Sequence, residues 1–197
     1  MQMQSPNNER VEWLAGTADN IPLENNSVNG VVAVLAIHHF ASLKDAANEM
    51  YRICPSGPVV IFTFDHRESA QSWLGDYFPE IITSVYHKFP PIDSVVETIA
   101  AGKHWQVEKV KFPLPYDLTD KFMDAGWRNP EMYLDPQVRQ SISPFALANA
   151  EVVKSGIERL RNDLKTGKWD KKYGQVRQQE YFDAGYQFLK FTSRLDA

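Results

Sequence analysis

GVVAVLAI at positions 30–37 and VVIFTF at positions 59–64 are each apolar on successive residues, and a single helical pattern lies between them. A run without polar alternation suits a strand buried on both faces, as in a parallel sheet. Ser42 is a suitable N-cap, with Asp45 three residues on. Over 44–53, Ala46, Ala47, Met50 and Ile53 share one helical face. Pro55, Ser56, Gly57 and Pro58 then stop the helix. Strand, helix and strand in this order form a βαβ unit and place the chain in the α/β class. Upstream, residues 11–14 read as a further short strand, and 16–26, rich in Asn, Asp and Pro, as a loop.

Downstream, residues 68–89 are helical and aromatic, with Trp73, Tyr77, Phe78, Tyr86 and Phe89, and Pro90-Pro91 end the pattern. A helix is predicted over 94–101, ended by Gly102. Val107, Val110 and Phe112 mark a half-buried strand over 105–114. A short helix over 118–125 leads into a turn at 126–130. Helices over 136–145 and 151–165, the second with Ile157, Leu160 and Leu164 inward, precede a final strand over 185–192. Neither an internal repeat nor a low-complexity linker interrupts the 197 residues, so one domain is the simplest count.

The formal net charge of −4, with both signs mixed along the chain, argues against a nucleic-acid partner. The basic cluster of Lys165, Lys168, Lys171 and Lys172 is interrupted by Trp169 and Asp170 and reads as a solvated helix end or loop. The single cysteine, Cys54, cannot form an internal disulfide and reads as a packed small residue in a reducing compartment. No stretch reaches the ~18 uninterrupted apolar residues of a membrane span, and residues 1–10 are polar. The expectation is a cytoplasmic protein with no membrane partner. No HExxH motif or cysteine pair points to a metal.

The most specific stretch is GTADNIPL at 16–23, NSVNGVV at 26–32, AIHHF at 36–40, EMYRI at 49–53, then Gly57 and VIFT at 60–63. It resembles the class I S-adenosylmethionine-dependent methyltransferases, in particular the small-molecule enzymes related to ubiquinone and menaquinone biosynthesis. Their pattern runs G-D-A-E-x-L-P-F, x-N-S-F-D-x-V, a strand ending in x-x-H-H, and a helix carrying E-x-x-R-V-L-K-P-G-G. The resemblance implies an α/β, Rossmann-like sheet with helices on both faces and strand order 3-2-1-4-5-7-6. Residues 11–65 are then the cofactor-binding part and 66–197 the substrate side. S-adenosylmethionine is the implied cofactor and a small molecule the implied methyl acceptor.

In such sheets ligands sit beyond the carboxyl ends of the strands. By resemblance, Thr17 and Ala18 meet the adenine, and Leu35 and Ala36 lie at the methionine part. Thr17 departs from the family, which usually has an aspartate there; a hydroxyl accepts a hydrogen bond more weakly than a carboxylate. His38 and His39 are the candidates for a general base, since a near-neutral pKa suits deprotonation of an acceptor hydroxyl or thiol; satisfied loop histidines are the alternative. Trp127, Arg128 and Tyr133 fall in a turn-rich stretch and are candidates for a substrate lid.

The family's glycine-rich cofactor turn, G-x-G-x-G, does not occur in this chain. About ten residues precede position 11, and ten extended residues span at most ~36 Å, too little for two strands and two helices. The expected fold is therefore N-terminally truncated, with residues 1–4 resembling the start of the helix before position 11 and an internal methionine as the start. Three consequences are expected: weak cofactor binding by this chain, an exposed apolar sheet edge at 30–37, and self-association through that edge. The competing functional reading is a catalytically inactive, methyltransferase-like binding or interaction subunit. A nicotinamide-dependent enzyme is disfavoured, because it too needs a glycine fingerprint.

Overall fold

A computed structural model describes residues 10–68 and 72–194. The helical start expected at residues 1–4 lies outside them. Elements run in the order β1 (Val31–Val34), α1 (Leu43–Ile53), β2 (Val59–Phe64), α2 (Leu74–Tyr77), α3 (Pro79–Lys88), α4 (Ile92–Ala100), β3 (Trp105–Lys111), β4 (Leu114–Pro115), α5 (Pro136–Ser141), α6 (Ser143–Ala146), α7 (Ala150–Lys165), α8 (Lys168–Tyr173), β5 (Tyr181–Phe182) and β6 (Tyr186–Ser193). The main sheet has the order β1-β2-β6-β3, with β1 parallel to β2 and β6 antiparallel to both its neighbours. That is the 4-5-7-6 portion of the order implied by resemblance. β4 and β5 form a separate two-stranded ribbon.

The parity of the strands explains the two layers. Side chains alternate across a pleated sheet, so Val59 and Ile61 of β2 and Leu189 and Phe191 of β6 fall on one face. There they meet Ala46, Ala47 and Met50 of α1 and Ile92, Val95 and Ile99 of α4. Phe62, Phe64, Tyr186 and Phe188 fall on the other face, in a larger aromatic cluster that includes residues of α2, α3, α7 and α8. Helices thus cover both faces, as expected for the class.

The α1 segment behaves as its sequence dictates: the Ser42 hydroxyl accepts the Asp45 amide at 3.2 Å, and Ala46, Ala47, Met50 and Ile53 are the buried positions. Gly57 follows because of a close approach, not a turn angle. A Cβ there would lie 2.3 Å from the Asn29 carbonyl oxygen and 2.6 Å from Cys54 Sγ. Cys54 itself is buried, and burial pushes its thiol pKa up, consistent with a packing residue.

Several elements differ from their predicted form. Residues 11–14 are not a strand: they pair with no neighbour among the described residues, and Val11, Trp13 and Leu14 are exposed. A strand exists only through its partner's hydrogen bonds. β1 is shorter than 30–37 and is not buried on both faces: Ala33 is inside, while Val32 and Val34 are 70% and 60% exposed on this edge strand. The helical stretch before Phe89 is split at Pro79, which takes the first position of α3. Pro144 likewise divides 136–145 into α5 and α6. Residues 118–125 are not helical. Turn bonds from Ala125 N–H to the Phe122 carbonyl (3.1 Å) and from Trp127 N–H to the Asp124 carbonyl (3.0 Å) hold them instead. The Tyr133 hydroxyl fixes this turn run, donating to the Met123 carbonyl at 2.7 Å and accepting the Gly126 amide at 3.2 Å. No helix of the described residues is long and apolar enough to cross a membrane.

Candidate functional site

β1 and β2 are parallel, so their carboxyl ends open on the same edge of the sheet. Beyond that edge lies a cavity of about 390 Å³. Leu35, His38 and His39 after β1 and Phe64 at the end of β2 form one wall; α3 supplies Ile81, Ser84, Val85 and Lys88. The opposite side comes from Lys121, Phe122 and Met123 and from the segment between Ser141 and Val152. Tyr186 of β6 also reaches it.

The local backbone at the end of β1 is unusual. Leu35 has a φ of 45°, a left-handed conformation that a leucine adopts only when its surroundings impose it. Its amide still donates to the Phe62 carbonyl at 2.8 Å, so the last ladder bond is kept while the chain turns sharply away. A short 3-10 helix over Ile37–His39 follows, anchored by buried Ile37. This turn brings both histidines to the cavity. Their ring centroids are 3.9 Å apart, and His38 also packs at 4.2 Å against Phe89.

His38 Nδ1 is buried and has no hydrogen-bond partner among the described residues. Burial is the first cause of its low pKa, followed by the charges of His39 and Lys88; together they bring it down to about 4. At neutral pH the ring is therefore uncharged, and the near-neutral value expected of a general base is not the one the fold gives: burial makes His38 a weaker base than a free imidazole.

A second perturbed group stands behind the cavity. Asp124 is buried at 8% exposure and accepts a hydrogen bond from the Tyr186 hydroxyl at 3.2 Å. Burial raises its carboxyl to about 6, against the opposing effects of Tyr186 and Ser72. Asp65, next after β2, is also buried, but three donations hold it ionised: from the Arg67 amide (3.0 Å), from Arg67 Nε (2.6 Å) and from the Ile92 amide (3.1 Å). The last of these caps α4, whose N-cap residue Pro91 has no side chain able to do so.

The two charged residues of the EMYRI segment acquire a clear role. Glu49 accepts the Ile21 amide at 2.9 Å, while Arg52 donates to the carbonyls of Leu23 (2.7 Å) and Ile21 (2.9 Å) and to Asn25 Oδ1 (3.0 Å). The two side chains pair with each other at 2.7 Å. The hydrogen bond from Arg52 is the largest cause of a Glu49 pKa of about 2. Helix α1 thereby clamps the loop that carries Thr17 and Ala18. The pair fixes both donors and acceptors of an irregular segment, which lysine in place of Arg52 could not do.

The structure brings together only part of the predicted site. Leu35, His38 and His39 line the cavity; Ala36 precedes the 3-10 helix as its N-cap. Thr17 is exposed on a turn closed by the Asn20 amide at 3.1 Å, and Ala18 packs against the α1 and α4 layer; neither lines the cavity. Trp127, Arg128 and Tyr133 do not line it either. Instead of forming an exposed lid, Trp127 and Tyr133 are 1% and 0% exposed in the core, and the Arg128 guanidinium lies 4.4 Å over the Tyr116 ring. The reason is visible in the bonds: the Trp127 carbonyl accepts from Trp73 Nε1 at 2.8 Å, and its indole stacks on Phe182 at 5.5 Å. Lys88, Lys121, Asp124 and Tyr186 escaped the sequence reading. Only Tyr186 carried a local signal, as the first large residue of the last strand.

A family model described as "Methyltransferase domain" matches residues 1–62. The crystal structure of a protein from Anabaena variabilis ATCC 29413, assigned as a methyltransferase of an antibiotic biosynthesis pathway, is 41% identical. The match has a TM-score of 0.93 over 97% of this chain and 77% of that one. Ubiquinone/menaquinone biosynthesis C-methyltransferases UbiE from two strains of Rhodopseudomonas palustris, TIE-1 and ATCC BAA-98 / CGA009, are 25% identical over 157 residues, covering 78% of this chain. The chain spans about half (53%) of the length of these curated relatives. The sheet, its helices on both faces and these matches define a Rossmann-like α/β protein. The chain belongs to the class I S-adenosylmethionine-dependent methyltransferases.

Proposed function

We propose that this chain takes part in methyl transfer from S-adenosylmethionine to a small-molecule acceptor of a biosynthetic pathway, with the acceptor in the cavity beyond β1 and β2. The observation that carries this reading is the cavity lined by His38 and His39 beyond the carboxyl ends of β1 and β2, placed where α/β folds bind ligands. Leu35 and Ala36, on the sharp turn after β1, and Thr17 and Ala18, on the clamped loop, are the groups that would hold the cofactor. When bound, the cofactor supplies a methyl group on a sulfonium, which needs no electrophilic help from the protein. The chain's own part is to hold the acceptor against Phe64 and Phe89, exclude water from the apolar wall, and receive the acceptor proton at His38.

The test is transfer of isotope-labelled methyl from S-adenosylmethionine to a panel of small acceptors. Where the acceptor atom must lose a proton, His38→Gln is expected to lower kcat by about 10²-fold or more with little change in KM. The unsubstituted protein should show no activity loss between pH 8 and pH 6 from His38, which stays uncharged until about pH 4. Equal kcat in the variant would remove His38 from proton transfer.

A second reading rests on a specific feature: Thr17 stands where the family's aspartate is usual. On that reading the fold serves as a binding subunit that retains the acceptor cavity without turnover. Binding of acceptor-like molecules with no labelled product would favour it.

A further inference from the structure

We propose that the acceptor is an anion: a flat apolar body carrying a carboxylate or a similarly ionised oxygen, held by Lys88 and Lys121. The inference rests on reading the cavity as the acceptor site, and it names the chemical class that site takes. Phe64, Ile81, Val85, Phe89, Phe122 and Ile142 give the cavity a largely apolar lining, with two aromatic rings, Phe64 and Phe89, in contact at 4.1 Å. Its volume of about 390 Å³ admits a two-ring molecule and little more.

The charges at its edge are the informative part. Lys88 and Lys121 line the cavity, and neither has a carboxylate within ion-pair distance among the described residues. Among the described residues Lys109, Lys111, Lys168, Lys172 and Lys190 each face an Asp or Glu while Lys44, Lys103, Lys154, Lys165 and Lys171 do not, so what sets Lys88 and Lys121 apart is their place on the cavity. The one carboxylate in the lining, Glu80, does not neutralise Lys88. They occupy the first and last turns of α3, eight residues and so ~12 Å apart along the axis. In a chain of net charge −4, this cavity therefore carries two lysines against one carboxylate.

Lys88 is also close enough to His38 for its charge to act on that ring. A group seated against Phe89 would have an ammonium and an uncharged imidazole at the same end. That end favours an oxygen already ionised, or one that ionises as it reacts, over a neutral amide or amine. Ser84 and Ser143 add hydroxyls that accept or donate without imposing a charge.

The experiment compares two molecules of one shape, 2-naphthoate and 2-naphthamide, by ligand-observed NMR titration of the whole chain. The carboxylate is expected to bind about fivefold more tightly, the scale of a partly exposed ion pair. In the double variant Lys88→Gln, Lys121→Gln that preference should vanish while amide affinity stays unchanged; the retained amide binding also shows that the variant is folded. Equal affinities in the unsubstituted protein, or a preference that survives in the variant, would overturn the anionic class and leave the cavity as an acceptor site. If neither molecule binds at millimolar concentration, the acceptor-site reading itself fails and the inference with it.

Discussion

Trp127→Ala is expected to destabilise the fold by about 3–5 kcal/mol, lowering the midpoint of chemical denaturation with little change in slope. The magnitude follows from its position. The indole is 1% exposed, stacks on Phe182, donates to the Pro115 carbonyl at 3.4 Å, and sits in the residue whose carbonyl holds Trp73 Nε1. Trp73 in turn meets Tyr133 and Trp169 edge-on, both at 5.5 Å. Truncation leaves a hole lined by rigid rings that cannot collapse into it. A residue of a mobile lid would behave differently, raising the acceptor KM while leaving the unfolding midpoint in place. Equilibrium unfolding in urea, followed by far-ultraviolet circular dichroism, separates the two outcomes.

The second large effect is a pair of opposing pH dependences. His38 titrates near 4 in the fold and at 6.5 when free, so between these values the unfolded chain binds the extra proton. Its contribution to stability is full above pH 6.5 and is lost as pH falls toward 4. Asp124 does the reverse: its carboxyl is protonated in the fold up to about pH 6 and ionises at 3.8 when free. Its contribution is full below pH 3.8 and is lost as pH rises through 6. Shifts of this size correspond to about 3 kcal/mol for buried Asp124, and to about 2 kcal/mol for His38 once solvent access to its half-buried ring is allowed for. Between pH 4 and 6 the two largely cancel. Substitution should unmask each in turn. Asp124→Asn should lose about 2 kcal/mol of stability on acidification from pH 6.5 to 4, and His38→Gln should gain about 3 kcal/mol over pH 6 to 4. Urea midpoints at four pH values measure both. Two variants that merely track the unsubstituted protein would show that neither group is perturbed.

How much of this was legible in the sequence depends on the range of the determining contact. The βαβ unit was readable because its signals are local: two apolar runs, a capping serine, a stripe over α1, and a Pro/Gly stop. Gly57 was visible in the motif, but its reason, the approach of the Asn29 carbonyl, is a contact between segments. Residues 11–14 have the composition of a strand and, among the described residues, no partner to make them one. The split at Pro79 has a local cause, a proline taking the first helical position inside an aromatic stretch.

The site divides in the same way. His38 and His39 follow directly from β1 and could be named by resemblance. The far wall, from Lys121 to Val152, is brought in by α5 to α7 across some eighty residues of chain, and no pattern of spacing encodes that. Trp127 and Tyr133 misled for a physical reason. A turn-rich segment is usually exposed, but here the turns themselves are buried, and the Tyr133 hydroxyl and Trp73 indole satisfy their backbone groups.

The most direct test of the central claim is a titration of the isotope-labelled chain with S-adenosylhomocysteine, followed through its backbone amide resonances. Saturable binding is the expected result. The largest shifts should fall at Thr17, Ala18, Leu35 and Ala36, with none at Lys168–Tyr173. Resonances at these four positions that stay unmoved at saturating ligand would contradict the assignment of the strand-end loops as the cofactor side of a methyltransferase site.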